Sequence, residues 1–225
     1  MTKYKWRRRV GKMKGIIVFD FSGTILHKDV AKEASNRRFS WLGKEVNQEW
    51  LEKALATNEH YDINKELISK YTGIKDDKQL TTFMTDFFKY HVLGVVNELK
   101  EKSFQPSIVE LIKELKNRDY KIAVVSGIRN DIITGVMKIT GNEDLIDFVF
   151  GQPPELGISN EQNLENCKKE GEIKFVLGDK ASDLEVAKKF GAKVIFVKWG
   201  HASGNEEEIA DYTISEPKEL LEIIK

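Results

Sequence analysis

The chain has little of several features, and each shortage excludes a class of protein. One cysteine, Cys167, among 225 residues leaves no internal disulfide and no paired thiolates for a metal, which favours a reducing compartment. The longest aliphatic runs, such as Ile16 to Phe19, fall far short of the roughly 20 residues that span a bilayer. We therefore expect a soluble, cytoplasmic protein that has no membrane partner.

Net charge is also absent, because 36 basic residues balance 36 acidic ones. The balance is uneven: residues 1–14 form an arm with seven basic and no acidic side chains, and the rest of the chain carries a formal charge of −7. Such an arm could contact nucleic acid or an anionic surface. The alternatives are a solvated tail or a chain that starts at Met13, and nucleic acid is not expected as the main partner. The arm has no apolar stretch typical of a secretion signal.

The sequence from Ser107 onward alternates between short apolar strands and amphipathic helices. Strands are predicted in YKIAVVSG, DFVFG, EIKFVLGD, KVIFVKWG and DYTI, with GIIVFDF at the front. Helices are predicted after a Ser107–Glu110 capping box, and over 130–139, 182–190 and 218–224. Strands that are apolar on both faces and separated by helices indicate an α/β fold with a doubly wound parallel sheet. This core is expected over 15–26 and 106–225.

Residues 27–105 show helical periods and no convincing strand, which predicts a helical cap inserted after the first strand. Its apolar faces begin at about Val46, Ile63 and Leu80. An aromatic stripe within it is predicted to form bundle core rather than a substrate pocket; it consists of Phe83, Phe87, Phe88 and Tyr90.

Polar residues end three of the predicted strands. Because ligands of such sheets bind outside the carboxyl ends of the strands, Asp20, Ser126 and Asp179 are expected to converge on one crevice. Asp20 can supply a nucleophilic carboxylate. In GDKASD, Asp179 ends a strand and Asp183 lies one turn into the next helix, so both can face one hard cation, for which Mg²⁺ is the expected cofactor.

The motifs FDFSGT, VVSG and VLGDKASD, in this order and with a helical insert after the first, resemble the haloacid dehalogenase superfamily of phosphatases and related hydrolases. The resemblance covers nearly the whole chain after residue 14. It implies a Rossmann-like core, a small phosphorylated substrate and an aspartyl-phosphate intermediate at Asp20. It also implies that the main-chain carbonyl of Ser22 joins Asp20, Asp179 and Asp183 as a metal ligand.

The same resemblance assigns phosphate binding to Thr24, Ser126 and the main chain of Gly127. Taken alone, VVSG is also consistent with a strand followed by a helix cap. Arg129 is near enough in sequence to Ser126 to reach an anion, but a solvated arginine at the start of a helix is the simpler interpretation.

Two positions depart from the family pattern. Ser22 stands where the family usually has an aspartate that protonates the leaving group, and a hydroxyl is far too weak an acid for that task. Gln152 stands where the family usually has a lysine, 27 residues before Asp179, and it could bind phosphate without bringing a positive charge. Lys180 is the predicted replacement, since Lys174 should lie at the opposite end of the sheet.

These features predict a Mg²⁺-dependent phosphatase that is weakened by Ser22 or limited to good leaving groups. One alternative is a pseudophosphatase that binds without turnover. A second is a phosphonoacetaldehyde-hydrolase-like enzyme that uses Lys44 or Lys53 as a Schiff base. A third, a metal-free haloacid dehalogenase, is disfavoured because both metal carboxylates are kept. The candidates for a relocated acid or base are His60, His91 and, best placed after a strand, His201.

Overall fold

The structure is a computed structural model that describes residues 13–57, 60–153, 158–202 and 204–224. It gives no account of the side chains at 56, 57, 60–64 and 67. Two sequence predictions fall outside the described part: nearly all of the basic arm, and the acid–base role considered for the side chain of His60. Among the described residues, no helix is both long and apolar enough to cross a membrane.

The centre of the fold is a parallel sheet, and within the described residues it has six strands. They are β1 (Gly15–Phe19), β2 (Tyr120–Arg129), β3 (Phe148–Gln152), β4 (Ile173–Gly178), β5 (Lys193–Val197) and β6 (Tyr212–Ile214). Their order is β3-β2-β1-β4-β5-β6, and every neighbouring pair is parallel. The chain thus builds one half of the sheet outward from β1 and then crosses to β4. The predicted doubly wound parallel sheet is confirmed.

Ten α-helices are described. They are α1 (Lys28–Trp41), α2 (Gln48–Thr57), α3 (His60–Thr72), α4 (Asp77–Leu99), α5 (Ile108–Asn117), α6 (Asn130–Ile139), α7 (Asn160–Glu170), α8 (Ala181–Lys188), α9 (Glu206–Ile209) and α10 (Leu220–Ile223). The first four follow β1 and precede α5, which is where the sequence predicts an inserted cap. Helix α1 is not among the helices that the sequence predicts, because its charged residues obscure its apolar face.

Alternate residues of β1 pack on opposite faces of the sheet, as the two-residue period of a strand requires. Ile17 and Phe19 belong to a large cluster with α5, α6 and α10. Ile16 and Val18 belong to a second cluster with α7 and α8 that contains Cys167. Burial raises the pKa of the Cys167 thiol to about 12, so this cysteine is a packing residue.

The start of α5 differs from its prediction. Ser107 has φ of +62° and its side chain makes no capping hydrogen bond, so the predicted Ser107–Glu110 capping box is wrong. A capping hydroxyl normally sits on extended backbone, and the left-handed conformation of Ser107 does not provide this. A capping box does occur at α7, between Ser159 and Gln162. The apolar face predicted for α5 is confirmed, because its four residues are at most 1% exposed: Ile108, Leu111, Ile112 and Leu115.

The aromatic stripe of α4 divides between three environments. Phe83 and Phe87 stack on each other within a small cap cluster, as predicted. Phe88 instead packs against the large sheet cluster and lines the main cleft. Tyr90 is 74% exposed, so its assignment to the bundle core is wrong.

The chain enters and leaves the helical insert through two adjacent segments. Leu26 and Phe104 form an antiparallel bridge. The N–H of His27 donates to the carbonyl of Ser103 over 2.7 Å, and the N–H of Gln105 donates to the carbonyl of Ile25 over 2.9 Å. We call residues 25–27 and 103–105 the paired linker. It connects the insert to the core through two hydrogen-bonded segments.

Candidate active site

Asp20 directly follows β1, and its N–H donates to the carbonyl of Leu177 in β4 over 2.8 Å. Burial raises the pKa of its carboxyl well above the usual value, and repulsion by Asp183 and Asp179 adds to this. Hydrogen bonds from the Phe21 main chain and the Ser126 hydroxyl act in the opposite direction. The carboxylate is therefore oriented by fixed donors and lies in a negative, desolvated environment.

Asp179 and Asp183 lie beside Asp20, and we call these three residues the acidic cluster. A ligand oxygen from each of the three carboxylates lies within 4.8 Å of the others. Burial raises the pKa of Asp179 to about 6. Burial also raises the pKa of Asp183, although an Asn160 hydrogen bond opposes the shift. Asp179 is fully buried and Asp183 is partly exposed. Three acids at this spacing repel one another, so protons or a cation between them stabilise the arrangement.

The environment of Asp179 fits a divalent cation. Its Oδ2 accepts a hydrogen bond from the N–H of His201 over 2.7 Å, whereas its Oδ1 is buried and has no hydrogen-bond partner among the described residues. Asp183 Oδ1 accepts from Asn160 Nδ2 over 2.8 Å, which fixes the second carboxylate. Hard divalent cations bind oxygen ligands of this kind.

Two glycines allow Asp179 to occupy its position. A Cβ on Gly200 would lie 2.2 Å from the Asp179 Cβ, and a Cβ on Gly23 would lie 2.1 Å from Asp179 Oδ2. Gly23 also has φ of +82°, a conformation that favours glycine. The turn after β1 and the loop after β5 therefore approach the same carboxylate from two sides.

Ser22 lies in this turn and lines the cleft. It forms a short bridge with Leu26, and the N–H of Gly23 donates to the Leu26 carbonyl over 2.9 Å. Among the described residues that line the cleft, the only carboxylates are Asp20 and Asp183, both in the acidic cluster. The described cleft lining therefore holds no carboxylate outside the acidic cluster that could serve as a general acid.

His201 is the described histidine that lines the cleft. Its ring Cδ2 would lie 3.2 Å from a Cβ on Gly23, which places the ring next to the Ser22 turn. His91 does not line the cleft; its ring packs edge-on against Phe87, and burial lowers its pKa. Among the relocated acid–base candidates with described side chains, only His201 is in position.

The residues predicted to bind phosphate separate into two groups. Ser126 and Gly127 line the cleft beside Asp20, and β2 continues past them to Arg129. Thr24 is fully buried outside the cleft lining, and its carbonyl accepts a hydrogen bond from Trp199 Nε1 over 3.1 Å. Of these three predicted phosphate-binding residues, the structure thus places Ser126 and Gly127 in the cleft and Thr24 outside it.

Gln152 is engaged elsewhere. Its side-chain amide donates to the Ile158 carbonyl and accepts from the Ile158 N–H. The amide nitrogen and oxygen of Gln152 are thus both bonded to the main chain just before α7. Gln152 does not line the cleft. Lys180 does: its Nζ donates to the Leu55 carbonyl of the cap over 2.8 Å, and its charge lowers the pKa values of Asp179 and Asp183.

Arg129 is neither solvated nor directed at the acidic cluster. It is 7% exposed and binds Asp131 through Nε and Nη2 over 3.0 and 2.6 Å. Its Nη1 binds Asp86 over 2.7 Å and Thr85 over 3.0 Å, both on cap helix α4. The interpretation as a solvated helix-start arginine is wrong, because Arg129 ties the core to the cap.

The cap lysines considered as Schiff bases lie away from this site. Lys44 is exposed after α1, and Lys53 Nζ pairs with Glu49 over 3.0 Å on the surface of α2. Neither lines the cleft.

The cleft itself has a volume of about 420 Å³ and lies between the carboxyl ends of the strands and the cap. Four of its polar residues were missed by sequence reasoning: Arg38 of α1, Thr85 of α4, Asn160 of α7 and Ser182 of α8. Arg38 could have been found from its spacing, because it continues the small-residue face of Ala31, Ala34 and Ser35 at helical intervals. Nothing in the local sequence marks Asn160.

Comparisons with known proteins agree with this geometry. The family model described as haloacid dehalogenase-like hydrolase matches residues 17–197. A phosphoglycolate phosphatase of Aquifex aeolicus is 26% identical over 223 residues, covering 93% of this chain and 96% of that protein. A soluble P-type ATPase-like phosphatase of Methanocaldococcus jannaschii is 29% identical over 119 residues, which is 52% of this chain and 42% of that protein.

Solved structures share the fold. The structure of CbbY from Rhodobacter sphaeroides in complex with phosphate has a TM-score of 0.68 at 18% identity, covering 91% of this chain and 95% of that one. A predicted phosphoglycolate phosphatase from Haemophilus somnus has a TM-score of 0.70 at 15% identity, covering 93% and 97%. With a family match over most of its length and the motif residues gathered at one end of the sheet, the chain belongs to the haloacid dehalogenase-like hydrolase family.

Proposed function

We propose that the protein is a Mg²⁺-dependent phosphatase that acts on a small phosphorylated metabolite through an aspartyl-phosphate at Asp20. The observation that carries the proposal is the meeting of three carboxylates within 4.8 Å, of which Asp179 is fully buried, beside Ser126 in one cleft. Phosphoryl transfer needs at least a nucleophile, ligands for a cation and a hydrogen-bond donor to the phosphoryl oxygens.

In the first step, an oxygen of the Asp20 carboxylate attacks phosphorus, and the bond between phosphorus and the leaving oxygen breaks. The leaving group departs with the electron pair of that bond and takes a proton from solvent or from a nearby acid. In the second step, water attacks the aspartyl-phosphate, which releases phosphate and a proton and restores the carboxylate. The Ser126 hydroxyl and the main chain of Gly127 would hold the phosphoryl oxygens.

The cation site would consist of Asp20, Asp179, Asp183 and the main-chain carbonyl of Ser22. A bound Mg²⁺ would neutralise charge on the transferring phosphoryl group. Asn160 and the His201 N–H hold Asp183 and Asp179 for this task. Lys180 adds positive charge beside both carboxylates. It would thus supply the positive charge that the family usually takes from a lysine at the position of Gln152.

Ser22 limits the range of substrates. General acid–base catalysis contributes typically about 10²- to 10⁴-fold, and a serine hydroxyl supplies little of it. Acyl and aryl phosphates are affected least, because their leaving groups depart without a proton. His201, which lies next to this turn, is the residue that would protonate poorer leaving groups.

The substrate is expected to be a small molecule, because the cleft has a volume of about 420 Å³ and residues of the cap helices α1, α2 and α4 line one side of it. The Aquifex relative suggests phosphoglycolate as one substrate to test. Phosphoglycolate is an alkyl ester, so its turnover would require an acid other than Ser22. A reducing, cytoplasmic setting is proposed from the single buried cysteine.

A pseudophosphatase remains the second candidate. It is favoured by Gln152, whose amide is fully engaged with Ile158, and by the fact that the described cleft lining holds no carboxylate besides those of Asp20 and Asp183. Such a protein would bind a cation and a phosphate ester in the same cleft without turnover.

The two candidates are distinguished by incubating purified protein and Mg²⁺ with acetyl phosphate, an aryl phosphate and an alkyl phosphate, beside Asp20→Asn. We expect the first two to be hydrolysed, the third to react slowly, and all activity to disappear in the variant. No turnover of any ester, together with Mg²⁺-dependent thermal stabilisation by beryllofluoride, would reject the phosphatase and support the pseudophosphatase. Activity in EDTA-treated protein would reject the role of the cation.

A further inference from the structure

We propose that Arg38 binds a second anionic group on the substrate, a carboxylate or a second phosphoryl group, distinct from the phosphoryl group at Asp20. This inference rests on the proposed function, because it names the class of ester that the same cleft would accept.

Arg38 lies in the last turn of α1 and forms part of the cap wall of the cleft. It is only 4% exposed. The face of α1 that carries it also buries Ala31, Ala34 and Ser35, so the guanidinium is held among small and apolar groups rather than in solvent. An arginine in such a place is rare unless its charge has a partner.

The described residues supply very little for this charge. Its hydrogen bond in the described structure runs from Nη2 to the Ser35 hydroxyl over 2.9 Å, and its Nε is buried without a partner. No described carboxylate lies within ion-pair distance of Arg38. Burial lowers its pKa to about 10, and no neighbouring acid counteracts this effect. At neutral pH the group therefore remains a cation without an anion.

Neighbouring arginines show that this situation is specific to Arg38. Arg37, the next residue, binds Glu98 through two nitrogens, both over 2.7 Å, and Glu33 over 2.8 Å. Arg129, the other arginine of the cleft, is paired with Asp131 and Asp86. A buried cation that faces a ligand cleft, and that has no counter-charge in the part of the chain that the structure describes, is best explained by a counter-charge on the ligand.

The surroundings also orient the group. The Arg38 Cζ lies 4.7 Å above the ring centre of Phe88, which supports the guanidinium from one side, and Ser35 fixes one nitrogen. A planar guanidinium held in this way presents paired N–H donors, which match the two oxygens of a carboxylate or of a phosphoryl group. Asp20 and Ser126 line the same cleft on the core side, so an ester with two anionic ends can contact both walls.

The test uses three esters with similar phenolic leaving groups: 4-carboxyphenyl phosphate, its neutral amide analogue 4-carbamoylphenyl phosphate, and 1,4-phenylene bisphosphate. We expect the Mg²⁺-loaded protein to prefer at least one anionic ester through a lower KM. In Arg38→Met that preference should fall about 10- to 100-fold, since a charged hydrogen bond is lost. The two anionic esters distinguish a carboxylate from a second phosphoryl group.

Arg37→Met is the matched control, because it removes the adjacent arginine of the same helix, and it should keep the preference. Arg38→Lys and Ser35→Ala both keep a positive charge at position 38, and they are expected to reduce the preference for the anionic ester by less than Arg38→Met. If Arg38→Met does not fold, the same preference is measured in these two variants instead. No preference in the wild-type protein, or an equal loss on all three esters in Arg38→Met, would overturn the proposal.

Binding to Asp20→Asn, measured by calorimetry with the same esters, separates this inference from the proposed function. Arg38-dependent binding of the anionic esters without turnover in the wild-type protein would support the subsite and reject the phosphatase. Hydrolysis that does not depend on Arg38 would support the phosphatase and reject the subsite.

Discussion

The main-chain N–H of His201 donates to Oδ2 of Asp179 over 2.7 Å, and the other oxygen of that carboxylate is buried without a hydrogen-bond partner among the described residues. The loop after β5 thus orients an acid that belongs to the end of β4. Because one oxygen is fixed and the second is left open, the carboxylate is prepared to bind a cation with its remaining oxygen.

Substituting Gly200 by alanine should disturb this carboxylate directly. The new Cβ would lie 2.2 Å from the Asp179 Cβ, and overpacking of this kind costs roughly 1–3 kcal/mol. We expect a lower melting temperature and weaker Mg²⁺ binding, measured by thermal unfolding and calorimetry. Gly94→Ala is the control, because a Cβ there contacts nothing within 4 Å and should leave Mg²⁺ binding unchanged. Equal effects of both substitutions would contradict this account.

Substituting Ser22 by aspartate should restore a general acid. We expect hydrolysis of alkyl phosphates to rise by about 10²- to 10⁴-fold while hydrolysis of acetyl phosphate changes much less. The measurement is kcat/KM for both esters. Ser22→Asn has nearly the same shape without the acid, so a similar gain in that variant would show that proton transfer is not the cause.

The acidic cluster should make metal-free protein more stable in mild acid. Asp179 has its pKa raised to about 6 in the folded state, and the pKa values of Asp20 and Asp183 are raised as well. Between about pH 4 and 6 the folded state therefore binds more protons than the unfolded state, and stability falls as the pH rises through this range. Melting in EDTA should show this slope.

Mg²⁺ should flatten the same profile. The cation replaces the protons, so its stabilising effect should be larger at pH 7.5 than at pH 5. Asp179→Asn removes the acid with the raised pKa of about 6 and should reduce the slope in EDTA. A stability that rises with pH between 4 and 6 in metal-free protein would contradict the role given to the cluster.

Substituting Arg129 by methionine should loosen the contact between core and cap. It breaks the bonds to Asp131 in the core and to Asp86 on α4. Because Asp86 is exposed and Asp131 keeps its bond to Lys89, we expect a loss of roughly 1–3 kcal/mol in unfolding free energy rather than more. Hydrogen exchange should quicken along α4. Arg118→Met, which affects Glu114 on α5, should leave exchange in α4 unchanged.

The core was largely predictable from the sequence. The apolar strands and the helix over 130–139 are local patterns, and their fold follows from the rule that such strands pair in parallel. Asp20, Ser126 and Asp179 were predicted because polar residues after buried strands meet at one edge, and Asp183 because it lies one turn into the helix after Asp179. The structure brings the four together.

The rest depends on contacts between residues distant in sequence. The pairing of Gln152 with Ile158, and of Arg129 with Asp86, cannot be deduced from residue type or spacing. Helix α1 was missed because its exposed face is dense in charge, and with it Arg38 was missed. At Ser107 the error was the reverse, because a local motif was predicted that the structure does not form. The sequence predicts a capping box there, but the left-handed backbone of Ser107 prevents it.

The paired linker separates changes in the insert from changes in the core. Since the chain leaves and re-enters the core at segments that are hydrogen-bonded to each other, an insert of different length or shape adds little loop-closure entropy and leaves the register of β1 and β2 intact. The acidic cluster belongs to the core, whereas Arg38 belongs to the insert. If the acidic cluster carries the reaction and Arg38 the selectivity, as proposed, then a change in the insert can alter substrate choice without altering the reacting groups.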